Sequence, residues 1–532
     1  MTPHPSPDAL RDSNPPHAVW WRGPREASVA HVSTLDRRTF LVAGALAAAG
    51  VGLAGCTPGD DWLRLESAAV DDLRRRIRGE VLLPGAPGFT SAWLPKNGRY
   101  ADTVPRLVVR VADASDVTSC LDWSRDTGLP IAVRGGGHSY AGLSTTTGLV
   151  IDLSRLSRVR VSDEGTATVG GGATNAGLLD ATLGGRWLVP AGTCLSVGVG
   201  GLVQGGGIGY HSRWAGLTSD RLRSAQVVTA AGEVVTASAD EHPELFWALR
   251  GGTGGTFGVC TELEFDAAPV PSDDIVYYRF TWTGADAALA MLVALDELHQ
   301  TAPAEFVASA GVQATPIGSS GPGAAMDVFV RGQFLGSEDD FRAIVAPLLA
   351  AAPPLTQDIR VEPFWEVAPR FTNPESENHS WGDISRFAHA PLPGSALERV
   401  VELIADAPSR SPETNVQFWM IGWVGGRVVD SIGRTETAYV HRGMTELLRP
   451  TPVWANLTDA ALVADLESWT SAVIDVLEPH TPHESYQNFP NRAIVDWPEQ
   501  YFAENLARLR RVKAKWDPEG VFTSAQPLSA GR

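Results

Sequence analysis

The stretch VRGGGHSYAG, Val133 to Gly142, places three glycines directly before one histidine, His138. Three missing Cβ atoms bare the backbone N–H groups and let another body lie close to the main chain. Two further clusters follow: VGVGGLVQGGGIG from Val197 to Gly209, and LRGGTGGTFGV from Leu249 to Val259. Such loops wrap a pyrophosphate or pack flat against a ring system. One cluster alone reads as a turn. Three in one region read as the seat of a large phosphorylated cofactor.

Between the clusters, short apolar runs alternate with helical patterns. RLVVRVA (Arg106 to Ala112) and LPIAVRG (Leu129 to Gly135) read as buried strands. The segment between them reads as a helix with Ser115 as N-cap and Gly128 as its stop, which makes a β-α-β unit. GLVIDLSRL (Gly148 to Leu156) and TATVGGGATNAGLLDATL (Thr166 to Leu183) continue the theme, and Arg223 to Ser238 reads as a hairpin with Ala-Gly at its tip.

The character changes at about residue 270. YYRFTW (Tyr277 to Trp282), DVFVRGQFLG (Asp327 to Gly336) and NVQFWMIGWVGG (Asn415 to Gly426) read as antiparallel strands, with Gln417, Trp419 and Ile421 opposite in face to Val416, Phe418 and Met420. ADAALAMLVALDELHQ, from Ala285, reads as a helix, and the stretch 318–323 as a loop.

A chain of 532 residues with 44% hydrophobic and 20% charged residues is globular and long enough for more than one domain. Its net charge of −18 repels phosphates and argues against nucleic-acid binding. The N-terminal LDRRTFLVAGALAAAGVGLAGC, Leu35 to Cys56, resembles a twin-arginine export signal closing on a lipobox. If Cys56 carries lipid, Cys120, Cys194 and Cys260 remain, an odd count in an exported protein. Cys120 and Cys260 lie in apolar patterns and read as core, whereas Cys194 lies among small residues in AGTCLSVGVGG.

The usual motifs of other chemistries are missing. Gly50-Val51-Gly52-Leu53-Ala54-Gly55 fits GxGxxG but lies inside the export signal and follows no strand. GxxxxGK[ST], HExxH, CxxC and GxSxG do not occur.

Taken together, VRGGGHSYAG, AGTCLSVGVGGLVQGGGIGYHSRWAGLTSDRL, ELFWALRGGTGGTFGVCTELEF, ETAYVHR (Glu436 to Arg442), SYQNFPN (Ser485 to Asn491) and RLRRVKAKWDPEGVFTSAQPL resemble the berberine bridge enzyme-like FAD-linked oxidases, of the vanillyl-alcohol oxidase superfamily. The order and spacing of the blocks over most of the chain make the match specific. The resemblance implies an α+β fold: a two-part FAD-binding domain and a substrate domain whose antiparallel sheet is backed by helices. The implied boundaries are an export signal at 1–56, a linker at 57–75, the FAD domain at 76–268, the substrate domain at 269–486 and a return to the FAD domain at 487–532.

It also implies roles. FAD would be bound bicovalently, His138 at the flavin 8α carbon and Cys194 at C6. Both side chains are nucleophiles. The glycine loops would contribute Arg134, Gly135, Gly136, Gly137, Ser139 and Gly142, then Val197, Gly198, Gly200, Gly201, Gly205, Gly206, Gly207 and Gly209, then Val259. Asn488 and Phe489 would contact the flavin, and Tyr486 of the Tyr-x-Asn-(Tyr/Phe) motif would be the base, its pKa lowered by Tyr140. Relatives with valine at the Val197 position tend to admit oxygen. The implied reaction is hydride transfer from a substrate alcohol, carbohydrate or secondary metabolite, to flavin, with oxygen reduced to hydrogen peroxide. Alternatives are a dehydrogenase of the same fold and a non-catalytic flavin- or metabolite-binding lipoprotein. Trp365, Trp381, Trp419 and Trp423 are candidate sugar platforms. The expected location is outside the cell: lipid-anchored at Cys56 on the outer face of a bacterial membrane, or secreted.

Overall fold

The computed structural model describes residues 67–529, apart from 316–325, 374–378, 412 and 457. The export-type segment 1–56 and the loop at 318–323 lie outside the described residues.

Two small sheets carry the glycine loops. The first orders its strands Glu80–Leu82, Leu107–Arg110, Leu149–Asp152, Ile131–Arg134. The last three are mutually parallel, and Leu149–Asp152 lies between the two strands of the β-α-β unit. The unit's helix, Ala114–Thr127, ends at Gly128 with φ 67°, a left-handed cap that glycine adopts without strain. Its N-cap is Asp113 rather than Ser115. The Asp113 carboxylate accepts from the amides of Ser115 and Asp116, and a carboxylate there also complements the helix dipole. The second sheet is antiparallel, ordered Val159–Val161, Thr166–Gly170, Val259–Asp266, Leu222–Val228, Val234–Ser238, and the last two strands form the hairpin. Cys120 and Cys260 are both buried, and burial pushes the Cys260 thiol up to about 12.

The large sheet is antiparallel with eight strands, the long ones ordered Thr356–Glu362, Ile275–Thr283, Met326–Phe334, Phe306–Ala314, Asn415–Ile421, Glu446–Ala455. Alternation gives it two unlike faces. Tyr278, Phe280, Trp282, Val416, Phe418 and Met420 pack beneath the helices Ala285–Thr301, Glu338–Ala351, Gly394–Ala405 and Ala460–Leu477. Tyr277, Val307, Ile421 and Leu447 face the other way, into a cluster with Tyr210, Tyr439 and Tyr486. The fold is therefore α+β.

The C-terminal helix Leu506–Trp516 packs beside the helix Pro243–Ala248, in the core under the second sheet. The buried Lys513 Nζ donates to Thr256 O at 2.8 Å, to Phe522 O at 2.7 Å and to Asp517 at 2.6 Å, so the helix fixes the end of the third glycine loop. Lys513→Met strands the buried Asp517 carboxylate without its cation. It is expected to cost about 3–5 kcal/mol in chemical denaturation, with much of it restored in Lys513→Met/Asp517→Asn. A loss under about 1 kcal/mol would contradict this reading.

Candidate active site

A cavity of about 280 Å³ lies between the glycine loops and the open face of the large sheet. The strand Ile131–Arg134 runs directly into the first loop and so carries His138 to its wall. The His138 Nε2 is 2.6 Å from Ser196 Oγ. A Cβ at Gly136 would stand 2.3 Å from Ser196 O and 2.4 Å from Gly198 N, so glycine there is what lets the histidine loop touch the cysteine loop.

The cysteine loop is held by the start of the helix Asn175–Thr182. Asn175 Nδ2 donates to Gly192 O at 3.2 Å and Cys194 O at 3.0 Å, and the amides of Asn175 and Ala176 donate to Val197 O and Leu195 O. Cys194 is half-buried and lines the cavity with Val197.

Tyr486 enters from the C-terminal segment. Its amide donates to Ser385 Oγ, and its ring is buried. Its phenol oxygen accepts from Gly207 N at 3.0 Å, Ile208 N at 3.3 Å and Asn488 Nδ2 at 3.0 Å. Burial pushes the phenol above its ordinary pKa, and these donors pull it back.

Tyr140, expected beside Tyr486, is not among the hydrogen-bond partners of the Tyr486 phenol oxygen within the described residues. Phe489 lies between the two tyrosines, stacked on Tyr140 at 4.9 Å and edge-on to Tyr486 at 5.0 Å. Tyr140 instead meets Arg449. Burial raises its phenol strongly, and the Arg449 guanidinium counters this.

Arg449 was not among the expected site residues. It sits on the strand Glu446–Ala455, directly across from Trp419, and its guanidinium lies 4.8 Å over Phe489 and 5.6 Å over Trp419. Its Nε is 3.2 Å from Asp383, whose carboxyl burial pushes up to about 6. The only local signal was one arginine within the apolar run Leu447-Leu448-Arg449-Pro450. The buried Asp383 that balances it comes from a different segment of the chain.

Among the tryptophans, Trp419 and Trp423 line the cavity. Trp381 packs edge-on against Tyr140 at 5.4 Å, and Trp365 donates to Gly185 O, away from the cavity.

Of the expected cofactor residues, Gly135, Gly136, Gly137, His138, Ser139, Cys194, Val197, Gly198, Gly200, Gly201, Asn488 and Phe489 line the cavity, as do both tyrosines. Arg134, Gly142, Gly205, Gly206, Gly207, Gly209 and Val259 do not. Close packing explains most of these. A Cβ would strike the Tyr100 ring from Gly142, Asn488 from Gly205, the Tyr439 ring from Gly206, Thr218 from Gly207 and Ala191 O from Gly209. Val259 is buried in the core of the first sheet.

The walls nevertheless fit a flavin dinucleotide. Gly201 and Gly255 line the cavity with open space where a Cβ would stand, so the main chain there can be approached closely. Gln204 Oε1, on the wall, and Arg134 Nη1, behind the loop, are buried without a hydrogen-bond partner among the described residues.

Comparison with known proteins agrees. Residues 105–238 match the FAD binding domain family and residues 485–529 the family described as berberine and berberine like. An FAD-linked oxidoreductase of Aspergillus terreus is 31% identical over 495 residues, covering 88% of this chain and 97% of that protein. The glucooligosaccharide oxidase of Sarocladium strictum is 29% identical over 468 residues, covering 80% and 88%. The solved structure of glucooligosaccharide oxidase from Acremonium strictum, a protein with a 6-S-cysteinyl, 8α-N1-histidyl FAD, superposes with a TM-score of 0.76 at 25% identity, covering 87% of this chain and 99% of that one. This chain belongs to the berberine bridge enzyme-like FAD-linked oxidoreductases.

Proposed function

We propose that the chain is an oxidase of small-molecule alcohols, a carbohydrate or a secondary metabolite, with FAD tethered through His138 and Cys194. The observation that carries this reading is one cavity lined by His138, Cys194 and Tyr486 between glycine loops and an aromatic sheet face. The segments 76–268 and 487–532 hold the cofactor in this account, and 269–486 presents the substrate. When bound, FAD supplies the two-electron acceptor for the substrate hydride and returns the electrons to oxygen as hydrogen peroxide.

The chain's own part is orientation and proton removal. Tyr486 takes the hydroxyl proton, and Gly207 N, Ile208 N and Asn488 steady the phenolate left for that task. Trp419 and Trp423 form the wall on which a sugar ring or aromatic metabolite stacks. Arg449 keeps Tyr140 in place at the opposite side of Phe489. The carbohydrate option draws support from the glucooligosaccharide oxidases among the relatives. The Arg37-Arg38 pair, the apolar run and Cys56 support export of the folded protein and a lipid anchor.

The test is a panel of reducing oligosaccharides and secondary alcohols mixed anaerobically with holoenzyme. A substrate bleaches the flavin, and admitted oxygen restores the colour with one peroxide per turnover. Bleaching that oxygen does not reverse would instead identify a dehydrogenase. Val197→Leu is expected to slow reoxidation by oxygen on the order of 10-fold or more by crowding the ring, with flavin reduction unchanged. Equal reoxidation rates would remove Val197 from oxygen control.

Tyr486→Phe is expected to lower the rate of flavin reduction about 10²–10⁴-fold, the usual contribution of a positioned base. Because the phenol is raised, the reduction rate should climb with pH in the wild type. Asn488→Ala removes a donor to the phenolate and should shift that limb to higher pH. A Tyr486→Phe rate within about 3-fold of wild type would assign the proton to another group.

A further inference from the structure

The cysteine loop is gripped from two sides, and only one grip comes from the flavin half of the molecule. On the other side Asn373 forms a parallel bridge with Cys194. Its amide donates to Thr193 O at 2.9 Å and its Nδ2 to Thr193 Oγ1 at 3.0 Å. Its Oδ1 accepts from Arg331 Nη2 at 2.7 Å. Arg331 projects from the strand Met326–Phe334 of the large sheet and is fixed in turn, its Nε donating to Tyr210 OH at 2.8 Å. Tyr210 is buried, stacked at 4.1 Å on Phe371 and 4.2 Å from Trp423. A line of hydrogen bonds thus runs from Arg331 on the large sheet, through Asn373, to Thr193, the residue preceding the thiol.

We propose that Asn373 and Arg331 are a latch that sets Cys194 for its bond to flavin C6, so that the second tether forms only when the substrate sheet is docked on the loop. The proposal rests on the two-tether reading above. In the bond-forming step the thiol loses its proton and its sulfur bonds C6. The C6 hydrogen leaves as a proton, and the two electrons pass through the flavin to oxygen. One thiol, one ring C–H and one oxygen molecule give one thioether and one hydrogen peroxide. Such a step needs sulfur and carbon in near-attack geometry, and a displacement of about 1 Å can cost on the order of 100-fold. Among the described residues, neither Asn373 nor Arg331 hydrogen-bonds the stretch of the cysteine loop that seats His138, Ser196 to Gly198. The His138 loop is seated by Gly136 on the far end of the cysteine loop, which Asn175 and Ala173 hold through Val197 and Val199. Asn373 and Arg331 are therefore positioning residues with a selective effect: losing them should cost one tether and spare the other.

The experiment compares wild type, Asn373→Ala, Arg331→Met and Asn373→Asp, each purified as holoenzyme, precipitated with acid, alkylated and digested for mass spectrometry. In the wild type one flavin should join the His138 and Cys194 peptides. Asn373→Ala and Arg331→Met should carry flavin on the His138 peptide alone, with the alkylated Cys194 peptide rising and the doubly linked species falling on the order of 10-fold or more. Asn373→Asp keeps an oxygen for Arg331, and its other oxygen can accept from the Thr193 hydroxyl in place of the lost Nδ2 donor, so it should restore the double link. Full double linkage in Asn373→Ala and Arg331→Met would overturn the latch, as would loss of both tethers together. A wild type linked through His138 alone would overturn the two-tether reading and the latch with it.

Discussion

The contact between Gly136 and the backbone from Ser196 to Gly198 is the constraint on which the site depends. No side chain fits there, since a Cβ would overlap two main-chain atoms. Two loops from different strands can therefore press together, and the histidine of one and the cysteine of the other open on the same cavity. A glycine cluster read in isolation suggests room for a ligand. In the folded chain much of that room is taken by other backbone, and the room left over, at Gly201 and Gly255, is where a ligand's ring or phosphate can lie.

The sheet facing these loops solves a different problem. One face is sealed by four helices over a large apolar core, while the other has aromatic and arginine side chains looking into the cavity. The C-terminal segment then ties the halves together. His441 bonds Glu484 at 2.7 Å and Gln487 at 3.0 Å, and Gln487 donates to Gly251 O, so the stretch carrying Tyr486 is anchored to the third glycine loop. Tyr486 itself closes the circuit through the amides of Gly207 and Ile208 in the second. Orientation of the proposed base is a property of the whole architecture, not of one element.

Period-two alternation in Val416 to Ile421 was enough to separate the helix-covered face from the cavity face, because burial on one side of a sheet dictates every second residue. Glycine clustering marked the loops around His138 and Cys194 for a similar reason, since close approach leaves a local mark, while the roles of the two side chains came from the family resemblance. The position of Leu149–Asp152 between its two neighbours left none, since parallel pairing is decided by segments far apart in the chain. Asp113 displaced Ser115 as N-cap because both are good caps two residues apart, and the carboxylate gains more from the amide cluster. Arg449, Asp383, Asn373 and Arg331 were illegible for the same long-range reason. Their meaning lies in partners about 40 to 180 residues away, and a sequence read locally shows only a stray charge or amide. Tyr140, two residues after His138, was expected beside Tyr486, and no local signal showed that the Phe489 ring lies between the two.

In the proposed holoenzyme the bared backbone at Gly136 brings two nucleophiles to one flavin. The most direct measurement is acid precipitation of the purified holoenzyme, followed by the visible spectrum of pellet and supernatant. The yellow colour is expected to stay with the denatured chain in wild type and in Cys194→Ala, held by His138. Flavin released into the supernatant from the wild-type protein would contradict that arrangement.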